Sequence, residues 1–109
     1  MNVNEVAAKC GFEIVAGDEA LMNEVTGIYC CDLLSFAMGR APEGSAWITV
    51  MGNMNSAAVA SLADVACIIL CDGVRPDADM KNKADQQDIA VLCSTQPAFE
   101  TGKLIFDIL

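Results

Sequence analysis

The sequence predicts an α/β fold, a single domain on a mostly parallel five-stranded sheet with helices on both faces. Three observations predict it. Apolar runs close on cysteine and a polar residue at Ile28-Tyr29-Cys30-Cys31-Asp32, Cys67-Ile68-Ile69-Leu70-Cys71-Asp72 and Ala90-Val91-Leu92-Cys93-Ser94, and a helix-like stretch follows each. That is the pattern of an open α/β sheet, whose ligands sit beyond the carboxyl ends of its strands. Second, Ala66 to Cys71 is apolar without interruption, as a central parallel strand buried on both faces must be. Third, the connection over residues 17–24 is too short for a crossover helix, so one edge of the sheet is antiparallel or irregular.

The elements follow in order. Val3, Val6, Ala7 and Cys10 recur at helical spacing, giving a helix over 3–10 capped by Asn2 and stopped by Gly11. Phe12 to Ala16 is a strand closed by Gly17-Asp18, and Val25 to Cys31 is a second. Asp32 is placed to cap the next helix, whose Leu33, Leu34, Phe36, Ala37 and Met38 suit a mostly buried position and which Gly39 ends. Pro42-Glu43-Gly44-Ser45 is a turn by composition.

Ala46 to Met51 forms the third strand, with Trp47 expected in the core. The loop Gly52-Asn53-Met54-Asn55 leads into a helix over Ser56 to Ala63, whose small residues allow close packing on the sheet. Ala66 to Cys71 is the fourth strand. Pro76, Asp77 and Asp79 mark a helix start, since proline suits the first position and acids the positive end of the helix dipole. That helix runs to about Gln87 with Met80 and Ala84 inward; Ile89 to Cys93 is the fifth strand, and Pro97 to about Ile108 a last helix beginning after Thr95.

With 54% hydrophobic and 19% charged residues, the 109-residue chain is too apolar to be disordered and has the length of one domain. No apolar run approaches the ~18 residues of a spanning helix, and the start lacks a basic and apolar leader, so a cytoplasmic protein is expected. The formal charge is −9, and Lys9, Arg40, Arg75, Lys81, Lys83 and Lys103 are scattered. No basic face can be assembled from them, which argues against nucleic acid and anionic membranes as partners. In a reducing compartment the six cysteines read as thiols rather than as a disulfide framework.

The segment Val25-Thr26-Gly27-Ile28-Tyr29-Cys30-Cys31-Asp32-Leu33-Leu34-Ser35, followed by Met38-Gly39, Glu43-Gly44, Trp47-Ile48-Thr49 and Asn55, resembles the DRTGG domain in order and spacing. The likeness covers about residues 2 to 109. Of the eponymous motif Thr26-Gly27 match, while Met22 and Asn23 stand at the acidic and basic positions and Ile28 replaces the final glycine. This domain occurs alone and inside larger proteins such as CBS-containing pyrophosphatases and some phosphate acetyltransferases, and is similar to the N-terminal domain of HPr kinase/phosphorylase. The resemblance implies a compact α/β domain that regulates or scaffolds rather than catalyses and that self-associates, here as a homodimer. It also implies a redox or metabolic enzyme as partner, because free-standing relatives are often encoded beside hydrogenase-type enzymes.

Two kinds of site can be built from the residues. The loop Gly52-Asn53-Met54-Asn55-Ser56 leaves a strand and enters a helix, so it offers backbone N–H groups and amide side chains to an anionic or nucleotide-like ligand, although Asn55 or Ser56 would serve equally as plain helix caps. Asp32, Asp72, Arg75, Ser94 and Thr95 stand at the corresponding ends of other strands and can line the same crevice. Alternatively Cys31, Cys71 and Cys93 converge at that edge as thiolate ligands for a metal, although cysteine also packs as a small hydrophobe. The chain has no histidine and no P-loop pattern, so neither a nucleophile–base pair nor a phosphate motif is specified, and no cofactor is implied. Expected is a non-catalytic regulatory or scaffolding domain binding a ligand or enzyme at the carboxyl edge; the alternative is an accessory protein of a hydrogenase-type redox system that carries or senses a metal. The apolar end at Leu104, Ile105, Phe106, Ile108 and Leu109 docks on the sheet or contributes to a dimer interface.

Overall fold

A computed structural model describes all residues, 1–109. Its elements in order are α1 (Val3–Cys10), β1 (Glu13–Ala16), a 3-10 turn (Asp18–Ala20), β2 (Gly27–Cys30), α2 (Leu34–Arg40), β3 (Ser45–Thr49), α3 (Met54–Ala63), β4 (Cys67–Leu70), α4 (Ala78–Gln86), β5 (Val91–Cys93) and α5 (Ala98–Phe106). The sheet order is β1-β5-β4-β3-β2, with β2 to β5 parallel and β1 antiparallel to β5. The short first connection predicts an edge that is antiparallel or irregular, and β1 is antiparallel, with a register shift between Ile14 and Ala16. Its location follows from geometry: residues 17–26 run across the amino ends of the parallel strands, a distance of roughly 19 Å at ~4.8 Å per strand, which ten extended residues span easily. Val3 N–H to the Asn23 carbonyl and Asn23 Nδ2 to the Ala66 carbonyl fasten this strap.

Steps from β2 to β5 always move to the next position in the same direction, so crossovers of one hand lay α2, α3 and α4 on one face. There Ala37, Ala57, Ala60, Met80 and Ala84 pack over Trp47, Ile68, Leu70 and Val91. On the other face α1 and α5 bury Val3, Val6, Ala7 and Ile105 against Ala46, Ile48, Cys67, Ile69 and Leu92. Every residue of β3, β4 and β5 is buried, as interior strands of a layered sheet must be. No helix is long and apolar enough to cross a membrane.

Caps decide several boundaries. Asn2 accepts from Glu5 N–H and Glu5 reaches back to Asn2 N–H, while Gly11 closes α1 with φ 74°. Asn53 caps α3 through Asn55 N–H, so this helix begins two residues before the expected Ser56. Asp77 caps α4 through Met80 N–H, which leaves Pro76 outside the helix instead of at its first position. α2 runs past Gly39 to Arg40, and α5 starts after Pro97 with no side-chain cap, so Thr95 has no capping part.

Candidate functional site

The carboxyl edge of the parallel strands carries most of the residues that the sequence nominates, and the structure separates them into two groups. Asp32, after β2, is exposed; its Oδ1 accepts from Thr49 Oγ1 at 2.8 Å and from Val50 N–H at 2.9 Å. The carboxylate thus ties the ends of β2 and β3 together. It does not cap α2, whose N-cap is Leu33 without a side-chain bond. The buried Thr49 hydroxyl donates to it and in turn accepts from Met51 N–H.

The Gly52 loop is closed onto its neighbour. The Gly52 carbonyl accepts from Asp77 N–H at 3.0 Å, and a Cβ at Gly52 would lie 2.8 Å from the Arg75 carbonyl oxygen. Asn53 spends its side chain on the cap, Ser56 is buried with its hydroxyl on the Met51 carbonyl, and Asn55 is exposed. These residues hold two loops together.

A hollow opens one strand further on. The β4–α4 loop leads to one face of the sheet and the β5–α5 loop to the other, as at a switch point of an open sheet, and the hollow lies where both meet the start of β1. The space, about 230 Å³, is lined by Gly73, Arg75, Cys93, Ser94 and Thr95 together with Gly11 and Glu13. Gly73 has φ 73° and Asp72 φ 58°, a left-handed pair that aims their amides across the gap: Asp72 N–H donates to the Gln96 carbonyl and Gly73 N–H to that of Ser94. Ser94 is buried with its hydroxyl 2.8 Å from that of Thr101, which anchors the rim to α5, whereas Thr95 is exposed.

Arg75 is the single basic side chain in the loops that follow the parallel strands. It forms a two-pronged pair with Glu13 at 3.0 and 2.9 Å. The guanidinium's hydrogen bonds, then its charge, hold the Glu13 carboxyl below its ordinary value. Sequence reasoning missed Gly11 and Glu13. The signal was there in the short first connection: pairing Glu13 with Cys93 brings the start of an antiparallel β1 to the carboxyl end of β5.

The three strand-end cysteines do not converge. Cys71 packs on the α1 and α5 side with its thiol 3.7 Å from the Thr49 carbonyl, Cys93 lies on the α2–α4 side, and β3 separates both from β2, which ends one residue before Cys31, whose thiol points to the Leu33 carbonyl. No group of three His, Cys, Asp or Glu side chains is arranged to hold a metal ion. Alternation explains this: side chains of adjacent positions leave a strand on opposite faces, and Cys71 and Cys93 are out of step by one.

Burial pushes the Cys71 thiol up, with the Asp72 and Asp32 charges adding to the effect, and burial likewise raises Cys93 against the pull of Arg75. Cys67, fully buried, is pushed from 9.0 up to about 12. The folded state then holds this proton more tightly than the unfolded chain. Its contribution to stability is complete below about pH 9 and is lost as pH rises toward 12, at about 1.4 kcal/mol per unit. Urea titrations at increasing alkaline pH are expected to show this decline, and Cys67→Ala should flatten it; an equal slope in the variant would assign the loss to other groups.

Comparison with known proteins agrees with this architecture. The family model of the DRTGG domain matches residues 5–108. Among solved structures, the CBS and DRTGG domains of the regulatory region of Clostridium perfringens pyrophosphatase, complexed with the activator diadenosine tetraphosphate, superpose with a TM-score of 0.75 at 15% identity. The match covers 95% of this chain and 45% of that one, so this chain spans less than half of the clostridial fragment. No curated protein matches the chain. With the family model spanning all but a few terminal residues, on the fold and segment order described above, the chain belongs to the DRTGG domain family.

Proposed function

We propose that this domain is a non-catalytic regulatory module that self-associates and takes a small anionic, phosphate-bearing ligand into the hollow where the β4–α4 and β5–α5 loops meet the turn from α1 into β1. One observation carries the reading. The sole cation of the carboxyl edge, Arg75, lines this hollow beside the Ser94 and Thr95 turn and the left-handed Gly11 and Gly73, which carry no side chain into it. Glu13 occupies Arg75 as an internal counter-ion, and a ligand phosphate would take its place with the same two-pronged geometry. Asp32 and Asp72 keep the rest of that edge acidic. The non-catalytic reading rests on the Cys71 and Cys93 thiols, which burial raises above the ordinary thiol value, and on the Ser56 and Ser94 hydroxyls, which are committed to internal hydrogen bonds. The clostridial neighbour, a regulatory region complexed with a nucleotide activator, adds support by analogy of fold.

The test is thermal unfolding and calorimetry of the full chain with diadenosine tetraphosphate, ATP and inorganic pyrophosphate. A probe at a hundred times its Kd stabilises by about 2.7 kcal/mol, which raises Tm by roughly 10 °C or more in a domain of this size. Arg75→Ala is expected to abolish the shift, and Glu13→Gln, which frees the guanidinium, to strengthen binding. No shift with any probe, or an undiminished shift in Arg75→Ala, would remove this hollow as the ligand site.

A further inference from the structure

The two loops that meet at the Arg75 hollow spend most of their backbone donors on each other. On the β4–α4 side Asp72 N–H donates to the Gln96 carbonyl, Gly73 N–H to that of Ser94 and Val74 N–H to that of Cys71. On the β5–α5 side Ser94 N–H donates to the Leu70 carbonyl, and Gln96 N–H to the Ser94 hydroxyl, which also meets that of Thr101. Two amides are left over, those of Arg75 and Thr95, which have no acceptor in the protein; the exposed Thr95 hydroxyl has no partner either. Both residues line the hollow. The donors available there are therefore these two amides, one hydroxyl and the guanidinium that Glu13 holds at 3.0 and 2.9 Å.

We infer that the ligand of this hollow presents one terminal phosphate, as a small phosphate monoester does, and that Thr95 distinguishes such a group from a phosphate bridged on both sides. The inference rests on the phosphate site proposed above and names the class of ligand that it takes. A terminal phosphate has three non-bridging oxygens. Two of them match the fork of Arg75, in the geometry that the Glu13 carboxylate now holds, and the third is left for the Thr95 hydroxyl and N–H. A bridged phosphate has two such oxygens, so after the Arg75 pair none remains for Thr95. The Ser94 hydroxyl cannot substitute, being spent on Gln96 and Thr101. Room sets the same limit: about 230 Å³ is less than the roughly 300 Å³ at which sites for drug-sized ligands begin, so a phosphate and a few further atoms fill it and a nucleoside stays outside. Charge agrees, because Arg75 is the one base lining the hollow, Glu13 lines it too, Asp72 adjoins it, and the chain carries −9. One guanidinium balances one phosphate; further phosphates bring repulsion with no cation to meet it.

Calorimetry of the full chain with AMP, cyclic AMP and diadenosine tetraphosphate tests this, because the three share the adenosine and only AMP carries a terminal phosphate. AMP is expected to bind at least tenfold more tightly than either of the others, and inorganic phosphate to compete with it. Thr95→Val removes the hydroxyl at an exposed position and keeps the shape, so circular dichroism should be unchanged. This variant should weaken AMP about tenfold, the loss of one hydrogen bond to a charged group, and leave cyclic AMP as it was; Thr95→Ser should restore AMP binding. Equal affinity for all three probes, lost in Arg75→Ala, keeps the phosphate site and overturns the terminal-phosphate requirement. A preference for AMP that survives Thr95→Val overturns Thr95 as its source. No binding of any probe, inorganic phosphate and pyrophosphate included, overturns the phosphate site and this inference together.

Discussion

Gly17→Ala is expected to destabilise the domain by more than about 4 kcal/mol, among the largest effects a single methyl group can have. Gly17 ends β1 at φ 75°, and a Cβ built there lies 2.0 Å from the Ile89 carbonyl oxygen and 2.6 Å from the Ala90 Cα. Both are backbone atoms of a segment that cannot retreat. Ala90 is fully buried, and its carbonyl accepts from Ile68 N–H at 2.9 Å to join β5 to β4. The left-handed conformation alone would cost alanine about 1–2 kcal/mol. Gly11→Ala supplies the control, because Gly11 has almost the same φ, 74°, and nothing within 4 Å of a built Cβ. Urea unfolding of the two variants separates conformation from contact. Equal losses would mean that the strap lifts off β5 freely and that the close approach at Ile89 is without consequence.

Trp47→Ala is expected to cost about 3–5 kcal/mol, the range for emptying a buried aromatic site. Trp47 is fully buried in the middle of β3, under α2 and α3, where the small side chains of Ala37, Ala57 and Ala60 leave the indole its volume. Its Nε1–H donates to the Cys31 carbonyl at 2.9 Å, so the same residue fills the core and holds the end of β2. Trp47→Phe keeps most of the packing but leaves that carbonyl without its partner, for a loss of about 1–3 kcal/mol. Thermal melts followed by circular dichroism order the three proteins as wild type, then phenylalanine, then alanine. An alanine variant as stable as the phenylalanine one would place the energy in the hydrogen bond and not in the packing.

The capping residues show where local reading succeeds. Asn2 with Glu5 three positions on, and Gly11 beyond the last apolar position, state both ends of α1 in side-chain chemistry that acts within a few residues. Asp32 shows where it fails. A carboxylate before a helical stretch satisfies the same local rule, yet Thr49 and Val50, seventeen and eighteen positions away in sequence, take it for the β2–β3 junction. The Gly52 loop fails likewise: its glycine is required by the approach of the Arg75 carbonyl, a contact that no pattern near residue 52 announces.

What the sequence by itself determined is the α/β class, five strands with their alternating helices, an edge that departs from the parallel pattern, and the family. These rest on apolar runs, helical spacing, turn residues and motif order, all of which act over short stretches of chain. Only the tertiary structure decided which strand ends face each other, that Cys71 and Cys93 leave the sheet on opposite faces, and that Glu13 meets Arg75. Such facts depend on strand order and on one-residue alternation between neighbours, and both emerge when the whole sheet buries its two faces at once.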